Sequence, residues 1–166
     1  MFNFKVQKIT VVLLLVSIFL TACTDTDEGF EIFSYGLVES KPISKEENNT
    51  ILGSSYIIDS WNIVETTTQV PRKIGIEFGV AYRFNAPNHK ADMDVEEVII
   101  FPGKGLTNPK TGKTAKADTS AHKLEANSEQ FFSYKLEEPW EAKSGTWIFQ
   151  VKQDGQVVLE KIFHVE

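Results

Sequence analysis

The most regular stretch of the chain is residues 73–84, where Ile74, Ile76, Phe78, Val80, Tyr82 and Phe84 alternate with small or charged side chains. A period of two predicts a strand with one face on a core and the other exposed or closely covered by a neighbour. Gly75 and Gly79 lie on that second face, as a bulge or a close approach of another segment requires. Upstream, residues 31–40 alternate in part and predict a first strand interrupted at Gly36. Residues 55–68, rich in β-branched and aromatic side chains, predict a second strand with Tyr56, Ile58, Trp61, Ile63 and Val64 towards the core. Lys41-Pro42 and residues 45–50 read as the charged turn between them, and Pro71, which cannot donate to a ladder, marks a corner.

Downstream, residues 93–101 predict a strand whose alternation breaks at Glu96-Glu97, a candidate β-bulge. Gly103, Gly105, Pro109 and Gly112 make residues 102–114 a long loop, and residues 114–123 alternate weakly, as a polar edge strand does. Residues 130–136 form a firmer strand. Residues 145–151 and 156–165 predict a hairpin closed by Asp154-Gly155, a pair suited to the positive φ angles of a two-residue turn. Trp147, Phe149 and Val151 share one face of it, with Val158 and Ile162 as core partners opposite. Seven to nine short strands with no amphipathic helix give an all-β domain, an antiparallel β-sandwich, with a small β-barrel as the alternative.

The first 22 residues break this pattern. Lys5 and Lys8 precede an almost wholly apolar run from Ile9 to Leu20, and small residues lead into Cys23. That is the layout of a secretory signal. Fourteen residues separate Lys8 from Cys23, whereas a membrane-crossing helix needs about 20 apolar residues. Leu20-Thr21-Ala22-Cys23 resembles the lipobox of bacterial lipoproteins, which implies acylation of Cys23, with palmitate as one acyl group, after removal of residues 1–22. Residues 23–29 then form a polar, acidic tether and residues 30–166 the β-sandwich. In the lipoprotein sorting that the resemblance implies for a Gram-negative cell, Thr24 rather than Asp after the cysteine favours the periplasmic face of the outer membrane.

Of the 17 basic residues two lie in the signal, leaving 15 against 23 acidic residues and a net charge of −8. That balance argues against nucleic acid and against a polybasic grip on anionic lipid, both of which need surplus Lys and Arg. Cys23 is the single cysteine, so there is no intramolecular disulfide and no thiolate metal cluster.

Chemical motifs are sparse. Thr111-Gly112-Lys113-Thr114 resembles the end of a P-loop, but Thr107 stands where that motif needs its first glycine. His89, Asp92 and Asp94 are too few for a calcium or zinc site. No Gly-x-Ser-x-Gly elbow accompanies the serines and three histidines. No cofactor is expected and no catalytic residue is assigned. The alternative is a periplasmic hydrolase or metal-dependent enzyme with its site in the loops near His89 or His122. The better candidates form a binding surface of Lys104, Leu106, Asn108 and Trp140, on two loops rich in proline and glycine. The structural alternative, which these residue types favour, is that Leu106 and Trp140 cap the ends of the sandwich.

Val70-Pro71-Arg72, Phe78-Gly79, Leu106-Thr107-Asn108-Pro109, Glu138-Pro139-Trp140-Glu141 and Gly145-Thr146-Trp147 occur in this order along the domain. In these motifs the chain resembles a family of bacterial secreted domains of unknown function. The resemblance implies an immunoglobulin-like sandwich and no reaction. The expectation is a lipid-anchored, non-enzymatic module that binds an envelope protein or glycan at the membrane surface.

Overall fold

A computed structural model describes residues 29–48, 50–86 and 92–166. The expected signal, Cys23 and most of the tether lie outside the described residues, as does His89.

The chain runs through β1 (Gly29–Glu47), β2 (Ser54–Glu65), β3 (Gln69–Val70), β4 (Glu77–Asn85), β5 (Met93–Ile100) and β6 (Leu106–Thr107). It continues through β7 (Thr114–Ala115), β8 (Ala117–Leu124), β9 (Glu129–Lys135), β10 (Gly145–Gln153) and β11 (Gln156–Val165). One sheet has the order β2-β1-β4-β9, a second has β3-β11-β10-β5-β8, and β6 and β7 form a small separate hairpin. Two open sheets, not a closed barrel, build the domain. All pairings are antiparallel except that of β3 with β11.

The sheets meet through large aromatic side chains. Phe78 of β4 is fully buried and touches Trp147 and Phe149 of β10 and Phe163 of β11, with ring centroids 5.6, 5.5 and 5.2 Å away. Tyr134 of β9 lies 4.8 Å from Trp147. Such rings each remove about 150–250 Å² from water and add specific edge-to-face contacts. The Trp147 indole N–H donates to Lys143 O at 3.0 Å, so the largest core side chain leaves no polar group unpaired. The predicted turn at Asp154-Gly155 is present, with φ of 49° and 75°.

Several elements differ from the sequence pattern. β1 does not end near Ser40 but continues through Pro42 to Glu47. Its pairing with β4 stops at Val38, and beyond that it pairs with β2 alone, shifting register on both sides of Pro42. The missing N–H of Pro42 is thereby accommodated at a bulge instead of breaking a continuous ladder. β4 begins at Glu77, not at residue 73, because Ile76 N–H closes a turn onto Lys73 O. Ile74 is accordingly 44% exposed. On β2, an edge strand, Tyr56 and Val64 are exposed rather than core-facing. Ile162 is also exposed, because a register shift next to Val158 inverts the phase of β11 and turns Phe163 and Val165 inward.

β5 carries no bulge: it pairs with β8 and β10 in unbroken register. The alternation fails at Glu96-Glu97 because Glu97 takes an inward position between Val95 and Ile99.

The second face of β4 is closely covered. A Cβ added at Gly79 would lie 2.5 Å from Phe132 O and 2.7 Å from Ser133 Cβ. Above this face Trp61 of β2 stacks on Phe131 of β9 at 4.6 Å, although β1 and β4 separate those strands in the sheet. The sheet therefore curls until its two edges approach one another, and small side chains at residues 79 and 81 leave room for the rings.

Candidate functional site

The second half of β1 and all of β2 form an arm that reaches past β4. The loop at its tip is held by Asn108, buried in the β6–β7 hairpin, whose side-chain amide donates to Ile51 O at 2.9 Å. Asn108 is itself fixed by its backbone N–H on Lys113 O and by accepting Lys110 N–H at its side-chain oxygen, both 2.9 Å. Further along the arm Tyr56 donates to Glu137 Oε1 at 2.9 Å. Ser40 donates to Glu77 Oε2 at 2.7 Å, and Ser133 of β9 donates to the other carboxylate oxygen at 2.6 Å.

Beneath the arm lies a cleft of about 510 Å³, within the range of small-molecule sites. Residues 118–120 of β8, 131–135 of β9 and several of β2 line it. Each of these strands is the last in its sheet. Leu136 N–H donates to Ile76 O, in register with the β4–β9 ladder. Antiparallel ladders alternate, so Tyr134 and Phe132 also turn their backbone groups to β4, while Lys135, Ser133 and Phe131 turn theirs to the free edge.

Six carboxylates line the cleft, those of Glu77, Glu97, Asp118, Glu137, Glu138 and Glu141, against the three ammonium groups of Lys45, Lys110 and Lys135. Lys110 is occupied at the rim by Glu138, 3.4 Å away and exposed. Burial pushes the Glu97 carboxyl up to about 7, against the opposing effect of the hydrogen bond from Tyr82. Burial also raises Asp118 and Glu141, each partly offset by backbone hydrogen bonds. These groups resist ionisation because they are drawn out of water without close cations.

Tyr134 forms part of the cleft wall. Its residue is 3% exposed, and its hydroxyl has no hydrogen-bond partner among the described residues. Burial, followed by the charges of Glu141, Asp118 and Glu137, pushes this phenol well above the usual tyrosine range. It stays protonated, with its capacity to donate and to accept unused among the described residues.

Of the residues singled out by sequence, Asn108 and Trp140 line the cleft. Asn108 acts there as an internal strut. Leu106 is 1% exposed and belongs to the core, while Lys104 is exposed and away from the cleft lining. His122 of β8 sits 3.8 Å from Glu97 Oε1 and 3.5 Å from the Tyr82 hydroxyl. Its pKa is lowered by burial. The cleft lining does not include His122, and its distance from Glu97 exceeds a hydrogen bond. Among the described residues no group of three or more His, Cys, Asp or Glu is placed to hold a metal ion.

Sequence reasoning missed Glu97, Asp118 and Tyr134. Glu97 did leave a signal, since a charge on the inward phase of an otherwise apolar strand is what broke the alternation. Tyr134 left none, because its apolar ring serves the core pattern and hides the hydroxyl.

Compared with solved structures, the chain is similar to an immunoglobulin-like protein from Pseudomonas aeruginosa, with a TM-score of 0.60 and 23% identity over 85% of this chain and 99% of that one. That likeness shows an immunoglobulin-like fold. A slighter likeness, with a TM-score of 0.37 and 18% identity, links 61% of this chain to 28% of the Pseudomonas fluorescens alkylpurine DNA glycosylase AlkC, solved bound to DNA containing an abasic site analogue. No curated protein matches the chain. Residues 27–165 match the family described as Domain of unknown function (DUF3859), and the chain belongs to that family.

Proposed function

We propose that this protein is a non-enzymatic binding module of the bacterial cell envelope, anchored through an acylated Cys23, which holds its ligand in the cleft beneath the β1–β2 arm. The observation that carries the reading is the construction of the cleft. Its roof is pinned at Ile51, Ser40 and Tyr56, so the open space of about 510 Å³ is bordered by hydrogen-bonded structure rather than by loose loops. A pre-formed concavity of this size is the usual form of a ligand site, and here aromatic side chains are combined with a strongly acidic lining. Trp140 stays within this reading as a wall of the cleft, and an envelope protein or glycan remains the expected partner class.

Ser120, exposed on β8 and part of the lining, offers a test that spares the core. The Ser120→Trp variant fills the cleft. Full-length wild type and variant, solubilised in detergent, are used to capture molecules from envelope extract. The wild type should retain a ligand or partner that S120W loses at unchanged thermal stability. Equal retention by both would show that the cleft is not the site.

A further inference from the structure

We infer that the cleft recognises an organic cation, an aliphatic ammonium or guanidinium group on an apolar stem, carried by a polyamine or by a basic peptide side chain. The inference rests on the proposed function above and names the ligand class of that site.

Two independent observations support it. The first is charge. Glu97, Asp118 and Glu141 face the cleft, partly withdrawn from water, and among the described residues the ion pairs include no lysine or arginine for any of them. Each carries an unfavourable desolvation that a cation entering the cleft would relieve. The second is the Tyr134 hydroxyl, buried and without a partner among the described residues, on a side chain that lines the cleft and feels the charges of Glu141 and Asp118. A buried hydroxyl without a partner carries a desolvation cost in the free protein. A shift of the ring that opens this hydroxyl to the cleft would let it accept from an N–H donor held by the carboxylates. Anionic ligands would meet the same carboxylates and be repelled.

The walls say which kind of cation. The carboxylates are spread over β4, β5, β8 and the segment after β9, and aromatic or aliphatic side chains lie between them: Trp140, Phe131, Leu52 and Ile58. A small inorganic ion needs several oxygens converging on one point, and among the described residues no such cluster exists. A methylene stem fits the apolar surface instead. Its ammonium heads reach separate carboxylates, and the indole face of Trp140 favours a cation passing over it. The carbonyls that Phe131 and Ser133 turn to the free edge of β9 add acceptors along the same path.

The test is isothermal titration of the detergent-solubilised full-length protein with spermidine, with the tripeptide Lys-Ala-Lys and with calcium chloride, at low ionic strength. At least one amine should bind saturably and fail to bind S120W. Preference for spermidine or for the tripeptide identifies the source of the cation. Tyr134→Phe should raise the unfolding midpoint of the free protein while weakening amine binding at least tenfold, a pair of opposite effects that a purely structural tyrosine would not produce. Asp118→Asn should weaken binding to a similar extent and serves if the first variant is unstable. Calcium binding as tightly as the amines, or amine binding unchanged in both variants, would overturn the inference. If neither amine binds while S120W still abolishes capture from extract, the cation inference fails and the cleft reading stands; if S120W captures as wild type does, the cleft reading falls and this inference with it.

Discussion

Glu97 occupies a position that the fold treats as core and the cleft treats as surface. Its side chain is 12% exposed, and its carboxyl is raised from 4.5 to about 7 by burial. A carboxyl whose folded-state pKa lies above its unfolded value is accommodated best when protonated. Its contribution to stability is therefore present below about pH 4.5 and lost as pH rises through about 7. The separation corresponds to about 3 kcal/mol. Glu97→Gln keeps an acceptor for the Tyr82 hydroxyl and removes the charge. The variant should match wild type in urea unfolding at about pH 4 and exceed it by up to ~3 kcal/mol at about pH 8. His122, whose pKa is lowered by burial, tilts stability the opposite way, rising with pH, but it is present in both proteins and leaves their difference unchanged to first order. A constant gap across pH would mean that the carboxyl is hydrated. Phe78 and Trp147 set the contrasting case of residues with no role but packing. Both are fully buried, and truncating either to alanine should cost about 3–5 kcal/mol in chemical denaturation.

At the scale of elements, the arm decides whether there is a cleft at all. Beyond Val38 its two strands pair only with each other, and an isolated two-stranded hairpin is marginal in water. Its position therefore depends on a few contacts, of which the buried bond from Asn108 to Ile51 O holds the tip. Asn108→Ala leaves that carbonyl unsatisfied and should cost about 1–3 kcal/mol. The loss should appear as faster amide exchange over residues 51–58 with little change in the β10–β11 hairpin. Uniform loss of protection would show that the arm folds as one unit with the sandwich. The sequence pattern carried the strands that build the sandwich: β4, β9 and β10 alternate clearly, β5 and β11 in part, and their turns hold the glycine and proline that such turns need. It did not carry the arm. An edge strand exposed on both faces has no strict period, so Tyr56 and Val64 gave a core signal that the sheet does not use, and Pro42 gave a turn signal that a bulge absorbs. The cleft was half legible, through the segments holding Asn108 and Trp140. The carboxylates that define it come from four separated segments, two from each sheet, brought together by the packing of the sheets at their β8 and β9 edges.

At the scale of the whole molecule, an immunoglobulin-like sandwich is compatible with many functions, so placement matters as much as shape. The proposed anchor at Cys23 lies six residues before Gly29, the first residue of β1. Fully extended, such a segment spans at most ~20 Å, which would hold the start of β1 close to the membrane face. Acyl chains contribute about 0.8 kcal/mol per buried methylene; a single chain gives only reversible binding, whereas two or more hold a protein stably. The chain is acidic overall after the signal, so association with the bilayer should depend on the cysteine. In cells fed labelled palmitate, wild-type protein should incorporate label and sediment with membranes. Cys23→Ser should incorporate none and should accumulate as a soluble or uncleaved chain. Label on the serine variant would place acylation elsewhere, and an unlabelled wild type that still sediments would mean that the N-terminal apolar run itself is the anchor.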